Sequence, residues 1–170
     1  WHISGWNYDL NIKSECDAYF IRNISSWGWG TWSDRFKKYQ KNPKLIINRW
    51  SKSKIKRFNL DNKYDFFSQI IRNYEKKINS FGVFWYATIF ERNGLCLSPI
   101  KSLITNNGWN NKATHTKIKQ KIYSIKSKSK INDFKLPEVI EEDKAVYNKI
   151  KNYIAINKIK MLIIKLFKLI

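Results

Sequence analysis

Ser80-Phe81-Gly82-Val83-Phe84-Trp85-Tyr86-Ala87-Thr88-Ile89-Phe90-Glu91-Arg92-Asn93-Gly94-Leu95-Cys96-Leu97 lies in the most informative block of the sequence. Ser80 can cap a helix running from Phe81 to about Glu91. Val83, Phe84, Trp85, Ala87, Ile89 and Phe90 leave that helix no polar face, and a helix apolar all round is buried all round. Asn93-Gly94 is a helix stop. Leu95-Cys96-Leu97 then reads as a short strand before Ser98-Pro99. The stretch thus reads as a buried helix feeding a short strand.

Working downstream, Leu103-Ile104 reads as another short strand and residues 106–115 as a polar loop. Lys117 to Ile131 alternates loosely between Ile and Lys, as an exposed or edge strand pair would. Pro137 is expected to open a helix whose first turn carries Glu138, Glu141, Glu142 and Asp143, acids suited to the positive end of a helix. Upstream, Asn42-Pro43 marks a break. Asp61 or Asn62 is expected to start an amphipathic helix bearing Phe66, Phe67, Ile70, Ile71, Tyr74 and Ile78 on one face. Residues 1–40 are aromatic and glycine-bearing. His2-Ile3-Ser4 predicts a strand turning at Gly5, and Cys16–Ile21 another. Thr31 or Ser33 can cap a helix carrying Trp32, Phe36 and Tyr39.

The chain has 170 residues, 43% apolar and 16% aromatic, enough for a packed core. Its net charge is +20, from 33 Lys+Arg against 13 Asp+Glu. Such a charge suits a polyanionic partner (nucleic acid, anionic lipid or sugar-phosphate), or it reflects lysines spread over solvated faces. Tryptophans cluster early and lysines dominate late, so the two are not interleaved as in a base-stacking groove, and a nucleic-acid partner is disfavoured. Cys16 and Cys96 stand alone, without zinc spacing, and read as reduced thiols suited to the cytoplasm. No apolar run is long enough to span a bilayer. From Tyr153 to Ile170, however, Ile154, Ile156, Ile159, Leu162, Ile163, Leu166, Phe167 and Ile170 are interspersed with Lys158, Lys160, Lys165 and Lys168. A basic amphipathic helix of this kind can lie on an anionic membrane or pack on a protein surface.

Four segments together carry a family likeness. Ser26-Trp27-Gly28-Trp29-Gly30-Thr31-Trp32 with Asp34-Arg35-Phe36, Ser80-Phe81-Gly82-Val83-Phe84-Trp85, Pro99-Ile100-Lys101-Ser102-Leu103-Ile104-Thr105-Asn106-Asn107-Gly108 and Ala113-Thr114-His115-Thr116 occur in order. They resemble motifs of bacterial GT-A-fold glycosyltransferases near family 2, the hemolytic-protein-like group of nucleotide-diphospho-sugar transferases. The resemblance covers residues 1–116 and is silent over 117–170. It implies an α/β fold, the C-terminal portion of a GT-A (Rossmann-like) domain: residues 1–116 as an acceptor-side half-domain and 117–170 as a basic extension ending in an amphipathic helix. The family's first half carries the nucleotide-binding strands and an Asp-x-Asp motif. Neither has a candidate here, so the chain by itself is expected to be inactive.

The same resemblance implies a nucleotide-sugar donor, a surface-polysaccharide or glycan acceptor, and a divalent Mn²⁺ or Mg²⁺ in the complete enzyme. It points to His115 as metal ligand, and imidazole suits such an ion. Trp27, Gly28, Trp29, Gly30, Thr31, Trp32, Ser80 and Trp85 become substrate-binding candidates, the indoles as stacking walls and the glycines as points of close backbone approach. In relatives a carboxylate takes the acceptor proton beside the second motif. Here those positions are Asn79 and Gly82, and an amide cannot accept that proton as a carboxylate does. Asp34 or Glu91 would have to substitute, or the copy has decayed. His2 reads as structural. Enzymes of this kind act in the cytoplasm, some peripherally on the inner face of the membrane. The competing function is a basic nucleic-acid-binding or membrane-peripheral module without catalysis.

Overall fold

The computed structural model describes residues 1–105 and 133–167. The architecture is mixed α/β. In chain order it comprises β1 (His2–Ser4), β2 (Ala18–Ile21), β3 (Trp29–Gly30), α1 (Ser33–Phe36), α2 (Pro43–Arg49), α3 (Lys52–Phe58), α4 (Phe67–Tyr74), α5 (Gly82–Glu91), β4 (Cys96–Pro99) and α6 (Lys144–Phe167). By contacts, the described residues of Trp1–Trp32 and Leu95–Tyr147 form one compact unit. Those of Ser33–Gly94 and Asn148–Ile170 form a second.

The first unit is built on a four-stranded mixed sheet in the order β2-β4-β1-β3. β1 runs parallel to β4, His2 opposite Cys96 and Ile3 opposite Leu97, and the other two pairs are antiparallel. A parallel pair needs a long connection, here the chain from Gly5 to Leu95. Period-two burial appears at once in β1: His2 and Ser4 are buried and Ile3 is exposed. Leu103-Ile104, expected as a strand, is a bend instead. The Leu103 amide donates to the Gly5 carbonyl (2.8 Å) and the Ser102 hydroxyl to the Ile104 carbonyl (2.9 Å), which turns the chain before a ladder can form.

The free edge of β2 is covered by residues 135–143. The Asp17 amide donates to the Lys135 carbonyl (2.8 Å), Phe20 bridges Glu142, and the Asp143 amide donates to the Phe20 carbonyl (2.9 Å). This corrects the expectation at Pro137. No helix begins there, because the backbone of this segment is engaged with β2. The Glu142 carboxylate is taken by Arg22, whose Nε lies 2.7 Å from Oε1 and whose guanidinium sits 4.5 Å above the Tyr147 ring. Helix α6 starts only at Lys144, where the Asp143 carboxylate accepts from the Val146 amide (2.9 Å) as an N-cap.

In the second unit, α5 is buried at every position from Val83 to Phe90. Around it stand Trp50, Phe58 and Phe66. Phe58 stacks on Tyr86 with centroids 4.4 Å apart, and the Tyr86 hydroxyl donates to the Phe58 carbonyl (3.1 Å). Asn42 caps α2 and Ser51 caps α3 through their side-chain oxygens. The helix expected from Asp61 or Asn62 begins later, at Phe67. Leu60, Asp61 and Asn62 have φ of 50, 55 and 65°, a left-handed run that terminates α3 and cannot open another helix. Asp65 supplies the side-chain acceptor for the Ser68 amide (3.1 Å). The buried face of α4 is also narrower than its apolar pattern: Phe67 and Ile70 are inside, whereas Ile71 and Tyr74 are exposed.

Candidate functional site

The aromatic loop of the first unit gains its shape from two glycines. The Gly5 amide donates to the Gly28 carbonyl (2.7 Å). Gly28 has φ +54°, and a Cβ there would lie 2.7 Å from Ile104 Cδ1. Side chains rarely tolerate either condition. Gly28 therefore makes room for the protein's own Ile104. Gly30 is different, since a Cβ there would meet nothing within 4 Å. Among the described residues the space over Gly30 is open.

On this anchored turn Trp27 and Trp29 are half-buried. Trp27 stands edge-on to the buried Trp6 at 4.7 Å, and Trp6 is edge-on to Tyr8 at the same distance. Trp29 stacks on His2 with centroids 5.3 Å apart and planes 12° from parallel. His2 is buried and its Nε2 lies 2.9 Å from the Ser25 carbonyl. A carbonyl only accepts, so Nε2 carries the proton of the neutral ring. Burial is the largest influence on this imidazole and lowers its pKa to about 4, against the opposing pull of the Ser25 hydrogen bond. Thr31 turns its hydroxyl to the Trp1 carbonyl (2.6 Å), so that group serves the fold. Trp32 is largely exposed. Sequence reasoning missed Trp6 and Gly5 as supports of the loop. The one available signal was their spacing, a glycine and an indole directly after a predicted strand.

The remaining candidates lie elsewhere. Asp34 and Asn79 belong to the second unit, as do Ser80 and Trp85. Asp34 is exposed on α1 and pairs with its neighbour Arg35 (3.3 Å). The Asn79 side chain accepts from the Lys41 ammonium. Ser80 does not cap α5. Its hydroxyl accepts from the Asn73 amide nitrogen (2.8 Å) while its own backbone amide donates to Asn73 Oδ1 (3.0 Å), tying α4 to the approach of α5. Trp85 is 0% exposed, packed against Phe36 (5.7 Å) and Tyr39 (6.4 Å). It is a core side chain with no surface to offer a substrate, which corrects its assignment as a stacking wall. Glu91, named as a substitute base, accepts from the Trp50 indole N–H (2.7 Å) and the Lys54 ammonium (3.2 Å). Partial burial would raise its pKa, but these two donors outweigh burial and hold the carboxyl below its ordinary value. A carboxylate held in that way is a poor proton acceptor.

Cys96 is buried in β4, and burial pushes its thiol up to about 12. Cys16 is partly exposed and free. His115 lies outside the described residues. Among the described residues no three His, Cys, Asp or Glu side chains gather in a group that could hold a metal ion.

One further concavity went unread in the sequence. A cavity of about 650 Å³ lies between the β2 segment and residues 135–144. Its wall includes Glu15, Glu138 and Glu141 alongside Leu136 and Val139, acids on a chain of net charge +20.

No protein-family model, curated protein or solved structure matches this chain. The arrangement must therefore speak through its own chemistry. Trp27 and Trp29, both partly exposed, stand edge-on and face-on against the buried rings of Trp6 and His2, next to Gly30. Indole planes suit the ring faces of sugars or other flat ligands.

Proposed function

We propose that this chain is the acceptor-side part of a GT-A-type glycosyltransferase and that the Trp27–Gly30 loop is its sugar-stacking wall. In the complete enzyme the sugar would pass from a nucleotide-diphospho-sugar to a glycan acceptor. The observation that carries the reading is the anchored loop. Trp27 and Trp29 keep part of their surface exposed while Gly28, Gly5 and Ile104 fix the backbone beneath them. Among the described residues the space over the adjacent Gly30 is open. The resemblance of residues 26–36, 80–85 and 99–116 to transferase motifs supplies the reaction class.

The chemistry is expected to be absent from the chain alone. Asn79 and Gly82 stand where a carboxylate would accept the acceptor hydroxyl proton, and the described acids Asp34 and Glu91 are committed to Arg35, Trp50 and Lys54. Binding is what can be tested. Saturation-transfer NMR with a panel of hexoses, N-acetylhexosamines and short glycans should show transfer to sugar ring protons. Trp27→Ala and Trp29→Ala should each weaken it about tenfold, the scale of one lost stacking contact. Absence of transfer to every sugar, or transfer untouched by both substitutions, would sink the reading.

A further inference from the structure

Helix α6 carries two faces of different fate. Val146, Tyr147 and Ile150 are buried, and Tyr153 and Ile154 are half-buried. At about 100° per residue they share one side. The opposite side shows Ile156, Ile159 and Ile163, 52, 57 and 45% exposed, at the i, i+3, i+7 spacing of a continuous stripe. Exposed Lys149 lies on this same face before the stripe, and exposed Lys160 lies at its border with the inward side. From Lys144 to Phe167 the helix contains no Asp or Glu, and no helix among the described residues is long and apolar enough to cross a membrane. Asp61, from a neighbouring element, pairs with Lys151 (2.7 Å), which at this periodicity lies toward the inward side.

We propose that this exposed face of α6 docks in the plane of an anionic lipid surface, with Ile156, Ile159 and Ile163 at the acyl boundary and Lys149 and Lys160 among the headgroups. Aliphatic side chains flanked by lysines match the layered chemistry of a bilayer interface. A charge of +20 adds long-range attraction to it. A nucleic acid would reward the lysines and leave the isoleucines in water. A second copy packing stripe on stripe would bring Lys149 and Lys160 against their own kind. The proposal stands independently of the sugar-binding reading, since it uses no residue of the aromatic loop.

Vesicle co-sedimentation with the whole chain tests it. Vesicles of phosphatidylcholine with about one-third phosphatidylglycerol should carry the protein down at ~0.1 M salt. Pure phosphatidylcholine should bind it at least about tenfold less well, because the charge attraction is lost. The pair Ile156→Glu and Ile159→Glu should lower partitioning onto the anionic vesicles at least about tenfold, with circular dichroism and melting temperature unchanged. Ile140→Glu, at an exposed isoleucine outside the helix, should leave it unchanged. Three results would overturn the proposal. They are no binding to anionic vesicles, binding indifferent to the paired substitution (charge attraction alone), and a lipid-free dimer in sedimentation velocity that the same pair dissolves.

Discussion

At Gly28 and Gly30 two glycines of one motif do different work, and a single methyl group separates them. An alanine at Gly28 must hold φ near +54° and push on Ile104. Gly28→Ala is therefore expected to cost at least about 1–2 kcal/mol of stability, measured by urea denaturation. Gly30→Ala meets open space and should change stability by no more than about 0.5 kcal/mol, while its methyl group enters the volume where a ligand would lie. Loss of sugar binding in Gly30→Ala with stability intact would mark that volume as the site. His2, under the same loop, ties the fold to pH. Its folded pKa of about 4 is below the ordinary 6.5, so between these values the unfolded chain binds a proton that the folded one refuses. Stability from this group is complete above pH 6.5 and falls as pH drops toward 4, by roughly 3 kcal/mol in all. Chemical denaturation across pH 4–7 should show this slope, and His2→Gln should flatten it. The motif was legible as aromatic and glycine-rich. What each glycine accommodates was not, because Ile104 reaches Gly28 from more than seventy residues away.

Among elements, the ones with local causes were the legible ones. The all-apolar run of α5 and the Asn93-Gly94 stop state their roles within a few residues. The elements misread are those where a distant partner competes with a local preference. Residues 138–143 offer an acidic helix start, yet Arg22 claims Glu142 across 120 positions and β2 claims the backbone. That contest yields a prediction. Arg22 and Glu142 are only 19 and 15% exposed, and removing one partner strands the other's charge. Glu142→Ala should cost about 2–4 kcal/mol by denaturation, whereas Arg22→Met with Glu142→Met should recover most of that loss by replacing the pair with apolar contacts. An equal cost for the single and double variants would mean the pair contributes through packing and not through charge. The same comparison explains α4: its apolar periodicity was readable, but the left-handed run at Leu60–Asn62 that sets its start depends on how α3 must end.

Over the whole molecule, charge is the property most visible in the sequence and least informative about a site. The lysines belong to both units, while the half-exposed tryptophans of the loop belong to one. A polyanion should therefore find many weak contacts and no stacking groove. Binding to single-stranded RNA or heparin at ~0.05 M salt is expected to be measurable, to fall by at least about a hundredfold by ~0.3 M, and to show no preference among base sequences. Trp29→Ala should leave it unchanged, since backbone phosphates are neutralised by lysine and stacking is not used. Fluorescence anisotropy over a salt series checks both points. A nanomolar affinity that survives ~0.3 M salt and collapses in Trp29→Ala would reassign the aromatic loop from sugar rings to bases. Retention of polyanion binding in Trp29→Ala alongside loss of sugar saturation transfer would separate the charge of the chain from the chemistry of its loop.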